Sequence, residues 1–293
     1  EDESIGWVYQ FFNTGDERKK MREESQAPRN SRELAVRNQF FTPRYVVQFL
    51  ADNTLGRLWL EMHGEKTRLV KCCEYLVRPA DEPVRPRPKK DPRDLRILDP
   101  ACGSGSFLIG AYLYLLNYHR DWYVKDGPEK HRKELFHAAS GEWRLATQEK
   151  KRILLNNIYG VDIDSQAVEV TKLSLLLKVL EGESDETLKR QLSFVHERAL
   201  PDLGQNIKCG NSLIGPDYFA GQLMPDEEEM RRVNPFDWKA EFPEIMKAGG
   251  FDTVVGNPPY VRQEALSGFK DYLAQRYEAY DGVADLFAYF MEK

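Results

Sequence analysis

Four short strand-like segments alternate with helical ones between Leu95 and Val255, and this alternation restricts the fold more than any other feature of the chain. The strand segments are Leu95–Leu98, Tyr159–Ile163, Ile207–Cys209 and Phe251–Val255. Between them lie the helical stretches Ser106–Tyr123, Gln148–Asn157 and Ser165–Leu180. Strand alternating with helix implies a mostly parallel sheet with helices on both faces, an α/β architecture. The first two strands are 60 residues apart, far more than one crossover helix needs, so an additional helical insertion is expected near 124–147. Residues 217–247 hold eight acidic and four basic residues and read as a second insertion, ahead of the fourth strand.

Upstream, an aromatic patch from Trp7 to Phe12 and a charge-dense run from Asp16 to Glu24 suggest a helical N-terminal arm over residues 1–38. Residues 39–293 form the main domain. Thr42 is a plausible N-cap, with Pro43 at the first helical position, where its missing N–H costs nothing. The apolar positions Val46, Val47, Phe49, Leu50, Leu55 and Leu58 then predict one amphipathic helix to about Met62. From Thr67 to Arg96, nine Lys/Arg stand against five Asp/Glu, and five prolines forbid a regular element. This basic loop is a further insertion, near 64–94; contact with phosphate and simple solvation are both open to it.

The chain has 293 residues, 42 Lys and Arg against 47 Asp and Glu, and a net charge of −5. That excludes a small domain held to nucleic acid by bulk charge, though not a local basic patch. The longest apolar stretch, Phe107–Leu116, falls short of the roughly 20 residues that a membrane span needs. Glu1-Asp2-Glu3 is the reverse of a signal peptide's basic start. Cys72, Cys73, Cys102 and Cys209 form no CxxC, which argues against a zinc or disulfide scaffold and predicts a cytoplasmic protein without a metal site.

Three segments end at the sheet's carboxyl edge with residues suited to a ligand. Asp99-Pro100-Ala101-Cys102-Gly103-Ser104-Gly105 joins a strand to a helix start. Its glycines permit positive φ and close backbone approach, and the helix N-terminus offers N–H groups to an anion. It is neither a GxGxxG nor a P-loop, and on its own such a turn is a weak signal. The second strand ends in Asp162-Ile163-Asp164. Asp162 is placed to accept from ribose hydroxyls, while Asp164 caps the helix that starts at Ser165. The third strand ends in Cys209-Gly210-Asn211, with Asn211 at the same edge.

The most specific stretch follows the fourth strand: Asn257-Pro258-Pro259-Tyr260. Prolines fix φ and lack N–H groups, so the turn is stiff and its carbonyls remain free acceptors. The Asn257 side-chain oxygen and the Pro258 carbonyl can both accept from one planar NH₂ group, orienting its lone pair toward an electrophile. Tyr260 offers a face on which a flat substrate can stack.

In order and content these motifs resemble the S-adenosylmethionine-dependent DNA adenine-N6 methyltransferases of gamma type: Phe41-Thr42-Pro43, then Asp99–Gly103, then Asp162, then Asn257–Tyr260. Ala284–Phe290 is similar to the helix that follows the catalytic strand in that family. Ile5–Phe11 resembles a segment of the large BREX phage-defence methyltransferases and of type IIG restriction–modification enzymes. The resemblance covers about residues 38–293 and implies a Rossmann-like methyltransferase domain. It implies that Thr42, Pro43 and the Asp99, Pro100, Ala101, Cys102, Gly103 and Gly105 loop hold the methionine part of S-adenosylmethionine. Asp162 with Ile163 would hold the ribose, and Asn211 the adenine end. Asn257, Pro258, Pro259 and Tyr260 would hold an adenine flipped out of duplex DNA, as an enzyme acting on a base requires.

Such a domain has seven strands, of which four are readable. The expectation is therefore a domain incomplete at its C-terminus and not expected to methylate DNA by itself, part of a longer polypeptide that works with DNA and with other subunits of a defence or restriction system. The later strands, a second aromatic clamping the base and a target-recognition domain are not found in the sequence. Methylation of a protein glutamine or an RNA base, and a non-catalytic subunit that binds DNA or cofactor, are the competing functions.

Overall fold

The computed structural model describes residues 15–25, 33, 36–37, 42–64, 72–78, 84–138, 140–182, 200–221, 226–262, 266 and 268–293. The aromatic patch Trp7–Phe12, Phe41 and parts of the basic loop lie outside them. The expected N-terminal arm is represented by α1 (Gly15–Glu24) and by Arg37, which donates to the Met21 carbonyl and pairs with Glu33.

The helix after Thr42 runs as α2 (Arg44–Ala51), a π-helical turn (Asp52–Gly56) and α3 (Arg57–His63). Its start differs from the expectation by one residue. Pro43 is itself the N-cap, and its carbonyl accepts from Val46 and Val47 N–H at 2.9 and 3.2 Å. Thr42 therefore does not cap the helix and stands one residue ahead of it, buried.

The central sheet has four strands: β1 (Ile97–Asp99), β4 (Ile158–Asp162), β5 (Ile207–Cys209) and β6 (Thr253–Val254). Their order is β5-β4-β1-β6 and every pairing is parallel. In register, Asp99 faces Gly160 and Asp162 faces Cys209, so the strand ends form one edge.

Side chains alternate across the sheet as the strand period requires. Ile97, Ile158 and Ile207 turn into a core with Leu108, Tyr112 and Leu175, supplied by α4 (Ser106–Asp126) and α6 (Ser165–Leu180), alongside α5 (Thr147–Asn157). Leu98 and Val161 turn the other way, onto Phe236 and Phe242. The segment expected as an insertion thus supplies the cover of the second face, through Phe236, α8 (Trp238–Glu241) and α9 (Pro243–Lys247), while α7 (Glu227–Val233) places Val233 in a separate core with Leu213 and Ile214.

The insertion at 124–147 is helical only in its first part, where α4 runs on to Asp126 and a 3₁₀ turn covers Pro128–His131. Beyond it lies an antiparallel hairpin, β2 (Leu135–His137) against β3 (Trp143–Leu145), with Gly141 in the turn at φ +84°. Phe136 and Trp143 favour strands, and Leu135 and Leu145 anchor the hairpin in the core. After β6 come α10 (Lys270–Arg276) and α11 (Leu286–Glu292), which pack with Leu213 and Ile214 in a second core. Among the described residues β6 is an edge strand, and Val254 is 54% exposed. No helix among them is long and apolar enough to cross a membrane.

Candidate active site

The loop after β1 is held by the strand beside it. Cys102 N–H donates to the Val161 carbonyl at 3.0 Å, and Gly103 N–H donates to Asp162 Oδ2 at 2.8 Å. Gly103 and Gly105 sit at φ +53° and +86°, the left-handed region expected of them. Gly160 makes this contact possible: a Cβ there would come within 2.7 Å of Leu108 and 3.2 Å of the Cys102 sulfur.

Asp162 uses its other oxygen, Oδ1, to accept Asp164 N–H at 2.9 Å, while Asp164 caps α6 by accepting from Gln166 N–H at 3.1 Å. Asn211 turns its Oδ1 onto Leu213 and Ile214 N–H at 3.1 and 3.3 Å. Its side-chain NH₂ is left to donate. Ser212 Oγ donates to the Pro100 carbonyl at 2.6 Å and ties this third loop to the first.

One cavity, open to solvent, collects these elements. Thr42, Asp162, Ile163 and Asn211 line it, as do Pro100, Ala101, Cys102 and Gly103. The whole turn Asn257, Pro258, Pro259 and Tyr260 lines it too. Pro43, Asp99 and Gly105 are off the wall. Pro43 fixes the start of α2, Gly105 is the N-cap residue of α4, and Asp99 lies beneath the loop and accepts Ala101 N–H at 3.0 Å. Gly256 passes directly over Asp99, where a Cβ would come within 2.6 Å of Oδ1.

The sequence did not reveal the apolar part of the wall: Phe107, Ile214, Phe269, Leu273, Leu286 and Phe290. The only signal for it was the apolar spacing of Leu286 and Phe290, one turn apart on α11. Tyr260 is 59% exposed at the mouth, 5.7 Å from the Phe287 ring at 52°. Among the described residues the Asn257 amide has no hydrogen-bond partner.

The cavity wall carries no Lys, Arg, His or Glu among the described residues; Asp162 is its one carboxylate. Burial pushes the Asp162 carboxyl up to about 6, opposed by the N–H groups of Asp164 and Gly103. Burial pushes Asp99 up to about 8 against the Ala101 N–H bond, with the Asp162 charge adding to the rise. Asp99 Oδ2 has no partner among the described residues. Burial raises the Cys102 thiol well above its usual range, which leaves it a neutral part of the wall. At the N-terminus of α4 no side chain caps the helix, and Ser104, Ser106 and Phe107 bring that end to the cavity. No group of His, Cys, Asp and Glu suited to a metal occurs among the described residues.

Residues 156–293 match the Eco57I restriction-modification methylase family, and residues 90–183 match the RMKL-like methyltransferase domain. Over those stretches the chain is similar to restriction–modification methylases. It is 28% identical over 264 residues to the type II restriction enzyme and methyltransferase RM.Eco57I of Escherichia coli, a match over 81% of this chain and 24% of that protein. It is 34% identical over 188 residues to the putative type II restriction enzyme and methyltransferase RM.MjaORFECS2P of Methanocaldococcus jannaschii, covering 60% of this chain and 14% of that one. With the adenine-specific methyltransferase BrxX of Escherichia coli O9:H4 it shares 24% identity over 99% of this chain and 28% of that protein. The chain thus spans between 14% and 28% of the length of these curated relatives. All three are methyltransferases by name, as the order of motifs implies.

Proposed function

We propose that the protein transfers a methyl group from S-adenosylmethionine to the N6 amino group of an adenine flipped out of duplex DNA, within a restriction–modification or phage-defence system. The observation that carries this reading is the meeting, in one cavity, of the Pro100–Gly103 loop, Asp162, Asn211 and the Asn257–Tyr260 turn. The adenine specificity in the name of BrxX and the restriction enzymes among the relatives support DNA adenine as the acceptor.

The residues fit the cofactor. The uncapped N-terminus of α4 suits a carboxylate. Asp162, with each oxygen accepting one N–H, keeps lone pairs for ribose hydroxyls. A wall with one carboxylate and no cationic side chain suits a positively charged sulfonium. The Asn211 NH₂ suits an acceptor nitrogen on a purine ring. When bound, S-adenosylmethionine supplies an electrophilic methyl group.

Asn257 Oδ1 and the Pro258 carbonyl accept the two hydrogens of the target amine and direct its lone pair at that methyl group. The proline pair holds both acceptors still, so they need no reorganisation as charge builds on nitrogen. Tyr260 stacks on the extruded base, and the apolar wall from α10 and α11 excludes water around it.

The test is to incubate the full-length protein with methyl-labelled S-adenosylmethionine and, separately, duplex DNA, RNA and a glutamine-containing release-factor protein. Label in DNA alone is expected. Label in RNA or protein, with none in DNA, would transfer the site to a different substrate.

A further inference from the structure

We propose that Thr171 is a positioning residue for the cofactor loop: its buried hydroxyl fixes the Gly103 peptide from behind the cavity wall and so sets affinity for S-adenosylmethionine without touching it. This rests on assigning the cavity to that cofactor.

Thr171 stands on α6 and is completely buried. On the same helix face Val168 and Leu175 are apolar and belong to the core. A hydroxyl in such surroundings is costly unless it is bonded. Threonine in a helix ordinarily satisfies itself on the carbonyl three or four residues back in its own helix. Thr171 instead donates to the Gly103 carbonyl at 2.8 Å, across 68 residues of sequence.

The Gly103 N–H is meanwhile held by Asp162 at 2.8 Å. The peptides before and after Gly103 are therefore gripped by two different elements, β4 and α6. Between them Gly103 is held at φ +53°, a conformation that leaves a free loop many alternatives. The fit under the loop is close: a Cβ on Gly105 would come within 2.9 Å of Thr171 Cγ2 and 3.0 Å of its Oγ1. Pro100–Ser104, the stretch that this bond holds, is the part of the loop on the cavity wall. Thr171 itself is not on that wall.

The role separates cleanly by substitution. Thr171→Val keeps the branched shape and removes only the hydroxyl, whereas Thr171→Ser keeps the hydroxyl and removes only a methyl group. Titration calorimetry with S-adenosylhomocysteine, together with steady-state kinetics on adenine-containing DNA, reads both variants. Thr171→Val is expected to weaken S-adenosylhomocysteine about tenfold and to raise the KM for S-adenosylmethionine to a similar degree, the size of one lost hydrogen bond. The KM for DNA should not change, and Thr171→Ser should stay within about threefold of the parent. A Thr171→Val protein that binds S-adenosylhomocysteine as the parent does would overturn the proposal. A Thr171→Ser protein as weak as Thr171→Val would do so as well, since the hydroxyl would then not be the operative group. If the parent protein bound no S-adenosylhomocysteine at all, the cofactor assignment would fall first and this role with it.

Discussion

Asp162 Oδ2 accepts the Gly103 N–H at 2.8 Å, so the acid that ends the second strand and the glycine loop that follows the first form one rigid unit. The register of β1 and β4, with Asp99 opposite Gly160, sets this distance. Their union makes the floor and one wall of the cavity a single surface, and several consequences can be measured.

Asp162→Asn should weaken S-adenosylmethionine by about 10- to 100-fold, since it replaces a charged acceptor of hydroxyl hydrogen bonds with a neutral one. Because burial pushes the Asp162 carboxyl up to about 6, affinity in the parent should fall as pH drops from 7 to 5. In Asp162→Asn the same titration should be flat. Equal pH dependence in both would remove Asp162 from the ribose role.

Asp99 and Asp162 have carboxyls raised to about 8 and about 6, above an ordinary value of 3.8. The folded chain therefore holds protons that the unfolded chain has released. Their contribution to stability is complete below about pH 4 and is lost as pH rises through 6 and 8. Thermal midpoints should decline across that window, and Asp99→Asn should flatten the decline between pH 6 and 8. A variant whose midpoint falls as steeply as the parent's would show that Asp99 is not the group responsible.

Gly256→Ala should be harmful although it adds only a methyl group. The new Cβ would come within 2.6 Å of Asp99 Oδ1, and the neighbouring peptide carries Asn257. Strain of about 1–3 kcal/mol is expected, with a drop in kcat larger than in affinity for the cofactor. Unfolding curves and steady-state kinetics check the two parts separately.

Tyr260 presents an exposed ring at the mouth of the cavity, so its face rather than its hydroxyl should matter. Tyr260→Phe should keep most of the activity, whereas Tyr260→Ala should lose about 1–3 kcal/mol of binding to adenine-containing DNA. Measuring DNA affinity for both variants decides it, and equal losses would place the function in the hydroxyl.

Much of the frame was legible because local signals agreed with one another. The limits of α6 match the sequence expectation at both ends: Asp164 caps its start and Gly182 at φ +79° follows its end. The segments Leu95–Leu98 and Tyr159–Ile163, read as strands, fall within two residues of β1 and β4 at each end. The hairpin at 135–145 was not legible, because two three-residue strands give too short a pattern to outweigh the charged residues around them. Thr42 looked like a cap because the standard pattern places proline after it, yet Pro43 accepts the first helical N–H groups itself. The apolar wall of the cavity escaped because Phe269 and Phe290 are brought to Phe107 only by packing of α10 and α11 on the loop after β5, a long-range relation that no spacing encodes.

The central claim is that Asn257 and Pro258 present an adenine amine to a methyl donor. The most direct measurement is mass spectrometry of nucleosides from adenine-containing duplex DNA incubated with S-adenosylmethionine and either the parent protein or Asn257→Ala. The account predicts N6-methyladenine with the parent and a loss of at least about 100-fold in its rate of formation with Asn257→Ala, whose affinity for S-adenosylhomocysteine stays near that of the parent. N6-methyladenine formed at equal rates by both proteins would contradict it.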